Sequence, residues 1–441
     1  MSAMLLNEDV EAPQPKRSDG SAEMRVLILS HMDPRLSRGG AEFAAFQHYQ
    51  ELQRRPGVKV FFLSAAPGRI KLREGIAFGQ PFGEDNFLYS SGDGLGSRFD
   101  HFNFGNADPD YPAELAALLD ELRPDIVHAH HYTNFGVETF DIVRRTLPDA
   151  RIVLTLHEYL AICNHFGQMV KRPSFALCDG ASPQACHVCY PEHSPQDFFM
   201  RELFVKRFFR SVDAFVSPSR FLADRYIAWG IDPARISVIE NGVPDLDRRG
   251  LVPMPSTDGG LRIGFFGQIS RLKGVDVALE AARILEAEGV TGIQIEVYGD
   301  PSAQPLEFQE RFRQQLQLTP STFTYAGPYE NARVDQLMQS VHAVLVPSIW
   351  WENSPVVIEE ALANHRPVIA SDIGGMAEKV RDSIDGFQFQ AGSARALAAL
   401  LKRLAADPSL LSGVQTLMRR PASVAATTDA LLHLYAPAPR G

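Results

Sequence analysis

The chain has 441 residues, room for two domains that each bury a core. Its 43 Lys and Arg against 53 Asp and Glu leave a formal net charge of -10, which argues against a nucleic-acid binder with a basic surface. No apolar run approaches the ~20 residues needed to span a bilayer. Residues 1–23 mix charges, prolines and small residues without the apolar centre of a signal peptide, so they read as a disordered lead and the chain as cytoplasmic.

From there apolar runs and helical stretches alternate. Residues 25–30 read as a short buried strand, and S-R-G-G-A-E at 37–42 places Gly39 and Gly40 before a helix from Ala41. A Gly-Gly pair there is also an ordinary turn. It lacks the G-x-G-x-x-G spacing, and Gly92, Gly94 and Gly96 follow no apolar strand, so a dinucleotide fingerprint is not supported. Strands are predicted at 58–64 and 126–129, and D-I-V-H-A-H-H at 125–131 sets His128, His130 and His131 at a strand's C-terminal end, where open α/β sheets face their ligand. His128 and His130 share a strand face without an obvious carboxylate partner, so no metal is assigned to them. A strand at 152–156 leads to His157 and Glu158 at another strand end facing the expected crevice, where polar residues are also often structural.

All four cysteines, Cys163, Cys178, Cys186 and Cys189, fall in one loop-like insertion at 161–195. Disulfides do not suit a cytosolic chain. The Cys186-x-x-Cys189 knuckle suits structural rather than catalytic zinc, with His157, His165, His187 and His193 as substitute ligands, and four free thiols are the plainer reading. Next, R-E-L-F-V-K-R-F-F-R at 201–210 interleaves cations with Leu and Phe. It reads either as peripheral membrane contact, Arg201 to Arg210, or as a helix packing its apolar face on the core.

A strand at 214–218 and a Pro-, Gly- and Asp-rich linker at 244–260 close the first half. The second restarts with L-R-I-G-F-F-G at 261 and continues with strands at 294–298, 323–325, 343–346 and 368–370, so the fold class is α/β, two doubly wound parallel sheets in tandem. Its first loop, F-F-G-Q-I-S-R-L-K-G at 265–274, offers Gly267 for close backbone approach, Gln268, and Lys273 as a cation for a diphosphate, with Arg271 nearby. S-I-W-W-E-N-S-P-V-V-I-E-E then places Glu352 in a loop and Glu360, eight positions on, in a helix. Pro347 ends the preceding strand, Ser354 is placed to cap the helix, and Pro355 suits its first position. Strand, loop and helix N-terminus together present free N–H groups and a positive dipole end, which suit a nucleotide diphosphate.

The spacing of Glu352 and Glu360 resembles the E-x7-E motif of family 4 of the retaining GT-B glycosyltransferases, the glycosyl transferases group 1. The loop at 265–274 resembles that family's G-R-L-x-x-x-K-G, except that Gln268 stands where an arginine is usual. V-S-P-S-R at 216–220 and I-E-N-G-V at 239–243 extend the likeness over 25–389.

The resemblance implies two Rossmann-like domains, 24–245 on the acceptor side and 246–415 holding the nucleotide sugar, with a tail at 416–441 returning to the first. It implies that His130, with His128 and His131 as alternatives, faces the donor sugar, Glu352 its hydroxyls and Glu360 the ribose. Gly39, Gly40, Gly267, Gln268, Lys273, Asn353 and Ser354 would line the donor site. A UDP- or GDP-sugar donor is expected, a glycan or lipid-linked glycan acceptor, retention of configuration, and catalysis that needs no metal or other cofactor. Two rivals are an epimerase of the same fold and a non-catalytic binder of nucleotide sugars, the latter favoured slightly by Gln268.

Overall fold

A computed structural model describes residues 23–37, 39–66, 77–90, 99–244, 246 and 250–436. Residues 1–22 of the expected lead and Gly92, Gly94 and Gly96 lie outside the described residues.

In chain order the first half comprises β1 (Met24–Ser30), α1 (Gly40–Leu52), β2 (Val58–Ala65), β3 (Phe78–Gly79), β4 (Asn86–Tyr89), β5 (Phe99–Asp100), β6 (Gly105–Asn106), α2 (Tyr111–Leu122), β7 (Ile126–Ala129), α3 (Thr139–Thr146), β8 (Arg151–Thr155), α4 (Pro183–Cys189), α5 (Pro195–Phe209), β9 (Ala214–Ser217), α6 (Arg220–Trp229) and β10 (Ile236–Val238). An 8-stranded sheet runs β10-β9-β8-β7-β1-β2-β4-β3, parallel except for β3. The second half comprises β11 (Leu261–Phe266), α7 (Val275–Ala287), β12 (Ile293–Tyr298), α8 (Leu306–Leu316), β13 (Phe323–Gly327), α9 (Val334–Gln339), β14 (Ala343–Val346), α10 (Val356–Ala363), β15 (Val368–Ser371), α11 (Gly374–Lys379), β16 (Gly386–Phe389), α12 (Ala394–Ala406), α13 (Ser409–Gln415) and α14 (Val424–Tyr435). Its 6-stranded sheet runs β13-β12-β11-β14-β15-β16, parallel throughout.

Helices cover both faces of each sheet, which is why β7, β9, β14 and β15 are buried end to end and read as unbroken apolar runs. Both sheets are doubly wound, so the C-terminal ends of β1, β7 and β8 face those of β11, β14 and β15 across one crevice.

The chain crosses between the halves twice, side by side. Val243 on the outward path pairs with Ser423 on the return, with Val243 N–H donating to Ala422 O at 2.9 Å and Val424 N–H to Val243 O at 3.1 Å. A Cβ on Gly242 would meet Val424 Cα at 2.5 Å, so this crossing admits only glycine. The returning α14 then sets Leu431 and Tyr435 among Val26, Ile28 and Phe62 of the first sheet.

Two local expectations change. Helix α10 begins at Val356 with Pro355 as its cap residue, and Ser354 makes no capping bond. Pro355 is extended, at φ -61° and ψ 116°, so the helix starts one residue later and leaves the buried Ser354 Oγ without a hydrogen-bond partner. Helix α5 turns Arg201, Val205, Phe208 and Phe209 inward, and the Arg201 guanidinium donates to the carbonyls of Phe102, Ala161 and Leu160. Arg201 is thus a buried structural cation and not part of a basic membrane face; Phe199, Met200 and Leu203 remain exposed on the same helix.

Candidate active site

Lys273 follows β11 by a short loop. Gly274, at φ +78°, lets that loop press on the end of β14: a Cβ there would lie 1.8 Å from Pro347 O. The close approach brings Lys273 Nζ to 2.6 Å from Glu352 Oε1. The same oxygen accepts from Ser348 Oγ at 2.8 Å and from Trp350 Nε1 at 2.9 Å. Glu352 is 5 % exposed, so a buried carboxylate is held by one cation and two neutral donors. Behind it, Gly375 N–H donates to Glu352 O at 2.7 Å, and a Cβ on Gly375 would sit 1.8 Å from Asn353 O.

The loop crosses the crevice at Asn353, whose side-chain amide donates to His157 O. The first domain answers with a run of histidines. His157 Nε2 lies 3.1 Å from His130 Nδ1, His130 Nε2 lies 3.4 Å from His48 Nδ1, and His48 Nε2 lies 3.4 Å from the Tyr435 hydroxyl. Tyr435 bonds His128 Nδ1 at 2.6 Å, and His128 Nε2 meets Thr155 Oγ1 at 2.7 Å. Burial holds the group neutral, pushing His48 and His157 down to about 3 and lowering His128 and His130 well below the ordinary value.

Among the described residues, His48, His128 and His130 are the one group of three or more metal-ligating side chains whose atoms lie within 4.8 Å of one another. Each of the three has hydrogen-bonding partners within the protein: Tyr435 and Thr155 for His128, Tyr435 and His130 for His48, and His48 and His157 for His130.

A second cluster forms where β1 ends. His31 packs against His131, centroids 4.4 Å apart and rings tilted by 44°, and pairs with Glu42 at 3.3 Å, while His131 Nε2 lies 3.3 Å from Glu158. Burial pushes the Glu158 carboxyl up to about 8. Gly39 stands over Glu42, and a Cβ there would meet its carboxylate at 2.2 Å; Gly40 faces Val356 at the start of α10.

The structure therefore gathers Lys273, Glu352, Asn353, His157 and His130 across the crevice, through the Lys273–Glu352 pair, the Asn353 contact to His157 O and the His157–His130 contact. Gly267, at φ +136°, follows β11, and Gln268 beside it is exposed at the rim. Arg271 lies over the Phe175 ring at 4.1 Å, turned toward the cysteine-bearing insertion and not toward Lys273. Glu360 is half-buried on α10, close enough to help burial push the Tyr329 phenol up to about 12. Residues 38–247 match the profile of Glycosyltransferase Family 4, and residues 260–407 that of Glycosyl transferases group 1.

The chain belongs to the family 4 GT-B glycosyltransferases.

Similar to this family 4 chain are proteins named D-inositol 3-phosphate glycosyltransferase. That of Mycolicibacterium paratuberculosis is 33 % identical over 221 residues, 46 % of this chain and 48 % of the relative. That of Mycolicibacterium vanbaalenii is 28 % identical over 332 residues, 70 % of this chain and 66 % of the relative. The chain spans about half to two thirds of the length of the curated relatives it matches. Among solved structures, Anabaena HepE in complex with UDP superposes with a TM-score of 0.63 at 16 % identity, over 93 % of this chain and 99 % of that one. Sucrose-phosphate synthase of Thermosynechococcus elongatus gives 0.64 at 16 %, over 93 % and 98 %. At these identities the likeness shows the GT-B fold.

Sequence reasoning missed several site members. Ser348 and Trp350 stood inside the quoted motif, where a hydroxyl and an indole within four residues of a buried acid were the available signal. His48 and Tyr435 gave none, because Tyr435 is 307 positions from the histidine it bonds.

Proposed function

We propose that this protein transfers a sugar from a UDP- or GDP-sugar to an acceptor hydroxyl with retained anomeric configuration. The observation that carries the reading is the Lys273–Glu352 pair, held by Ser348 and Trp350 at the strand ends of the second domain and facing the histidine run of the first. The nucleotide diphosphate lies at the N-terminus of α10, beside Lys273 and Ser354, with Glu360 on the ribose. The sugar lies toward Glu352 and His130, which fix its hydroxyls and orient it; Gly39 and Gly40 give the phosphates and acceptor close backbone approach. Binding the donor in this crevice displaces the Asn353–His157 contact.

Chemically, the bond from the anomeric carbon to the diphosphate oxygen breaks. The acceptor oxygen bonds that carbon on the same face, and its proton passes to the leaving diphosphate. Lys273 and the loop amides stabilise the negative charge that develops, so the step needs no divalent ion. A glycan or lipid-linked glycan is the expected acceptor, and the exposed row Phe199, Met200 and Leu203 on α5 is the surface that would rest on a lipid phase. The named relatives add phosphorylated inositol as an acceptor class to test.

Thermal shift with a panel of nucleotide sugars selects the donor, since a bound ligand raises the melting point by mass action. Transfer with that donor, followed by NMR assignment of the product, gives the stereochemistry. A retained linkage formed in the presence of EDTA is the expected result. An inverted linkage or an absolute need for manganese overturns the mechanism; donor consumed without any acceptor makes the protein an epimerase, and binding without turnover a non-catalytic partner.

A further inference from the structure

The insertion that carries the four cysteines is ordered without a core of its own. From Lys171 to Asp197 not one side chain is buried. Three non-glycine residues, Phe166, Met169 and Phe175, are held at positive φ, a conformation that persists only where something overdetermines it. Small scaffolds without a core are usually held by covalent or metal cross-links.

The cross-linking groups are present. An arm pairs Val170 with Leu177 and ends at Cys178, whose N–H donates to Met169 O at 2.9 Å. The short helix α4 follows, capped by Ser182, with Cys186 and Cys189 one turn apart. Cys163, Cys178, Cys186 and Cys189 line one pocket, and none is disulfide-bonded. Of the histidines named as substitutes, His157 belongs to the run at His130, while His165 and His187 each donate Nδ1 to a backbone carbonyl, Val170 O and His193 O, at 2.7 Å. The four thiols that line the pocket are the soft donor set of a closed tetrahedral zinc site.

We propose that Cys163, Cys178, Cys186 and Cys189 bind one structural Zn²⁺, and that the ion braces the insertion against the second domain. All four cysteines line the pocket, but no three of their sulfurs lie within 4.8 Å of one another, so metal capture tightens the site. Each thiol gives up a proton to solvent as its sulfur bonds the ion at about 2.3 Å, with no change of oxidation state.

The brace reaches the site at two points. Trp351 Nε1 donates to Cys178 O at 3.0 Å, one residue from Glu352, and Arg271 lies over Phe175. The indole therefore hangs on the backbone of a metal ligand. The proposal does not depend on which reaction the crevice performs.

Metal analysis of the full chain, purified reduced and without chelators, should find about one zinc per chain. The folded protein should show four protected thiols that become titratable as zinc is released. Cobalt exchange should give thiolate-to-metal charge-transfer absorption, and zinc release should change the fluorescence of the tryptophans around Trp351. Cys186→Ser with Cys189→Ser should lose the metal and lower the melting temperature. Zinc-free folded protein with all four thiols freely titratable overturns the proposal, and so does a disulfide found by mass analysis in reduced-purified protein. Zinc retained by the double variant would overturn the assigned ligands.

Discussion

Lys273 illustrates how one backbone position decides a side chain's chemistry. Only glycine at 274 lets the loop touch Pro347 O, and only that approach delivers Nζ to Glu352. Lys273→Ala should lower transfer by about a hundredfold or more in a protein that still folds, because a charge-stabilising group in a closed site contributes on that scale, and should lower the melting temperature because it leaves the buried Glu352 carboxylate without its cation. Steady-state turnover and a melting curve check it, and normal turnover would remove Lys273 from the site. His48 makes a different prediction at the same scale. Burial holds its ring pKa at about 3 against an ordinary value of 6.5, so below pH 6.5 the unfolded chain takes up a proton that the folded chain refuses. Stability from this group is complete above about pH 6.5 and is lost as pH falls toward 3, at no more than about 1.4 kcal/mol per pH unit. Urea unfolding at pH 7.5 and pH 5.5 should show the loss, and His48→Gln should show a smaller one; equal losses in both proteins would show that His48 does not titrate on unfolding.

At the scale of elements, the donor loop is built between two strands and fixed from behind by a third segment. Helix α11 begins where β15 ends, and Gly375 packs against the backbone of Glu352 and Asn353. Gly375→Ala inserts a methyl group where Asn353 O lies 1.8 Å away, so the loop must shift by on the order of 1 Å, a displacement that costs about a hundredfold in a positioned reaction. Turnover should fall to that extent; turnover within twofold of wild type would show that the loop adapts. The strands on either side were legible because buried parallel strands read as unbroken apolar runs, as Ala343–Val346 and Val368–Ser371 do. The start of α10 was not, because a serine before Pro-Val-Val suits capping in sequence, whereas the extended Pro355 takes the cap position itself. Helix α5 shows the same limit: its alternating cations and phenylalanines do not reveal that Arg201 turns inward to three carbonyls, since those carbonyls come from Phe102, Leu160 and Ala161.

At the scale of the whole molecule, the two halves are locked by charges that no local pattern announces. Glu240, in the middle of the I-E-N stretch, pairs with Lys379 at 2.6 Å and with Arg419 at 3.5 Å; Lys379 lies 3.3 Å and Arg419 2.7 Å from Glu359, beside the expected ribose ligand Glu360. The Lys379 side chain is fully buried, and the four residues come from the segment after β10, from α10, from α11 and from the returning chain. A second contact spans the halves at α6, where Glu378 accepts from the N–H groups of Arg220 and Phe221 at 2.8 and 2.7 Å, in the manner of an acid at a helix N-terminus. The E-x7-E motif, the strand ends and the lysine loop were readable because each is contiguous; the His130–His48–Tyr435 run and this latch join segments far apart in the chain, up to 387 positions, and only folding brings them together. Removing one partner of a buried ion network leaves the others uncompensated and typically costs 3–5 kcal/mol. Lys379→Met should therefore lower unfolding free energy by about 3 kcal/mol or more, and the double variant Lys379→Met with Glu240→Gln should lose clearly less than the sum of the two single changes, as members of one network do. Denaturant unfolding of the four proteins in this cycle measures the coupling, and strict additivity would show that the latch does not act as a unit.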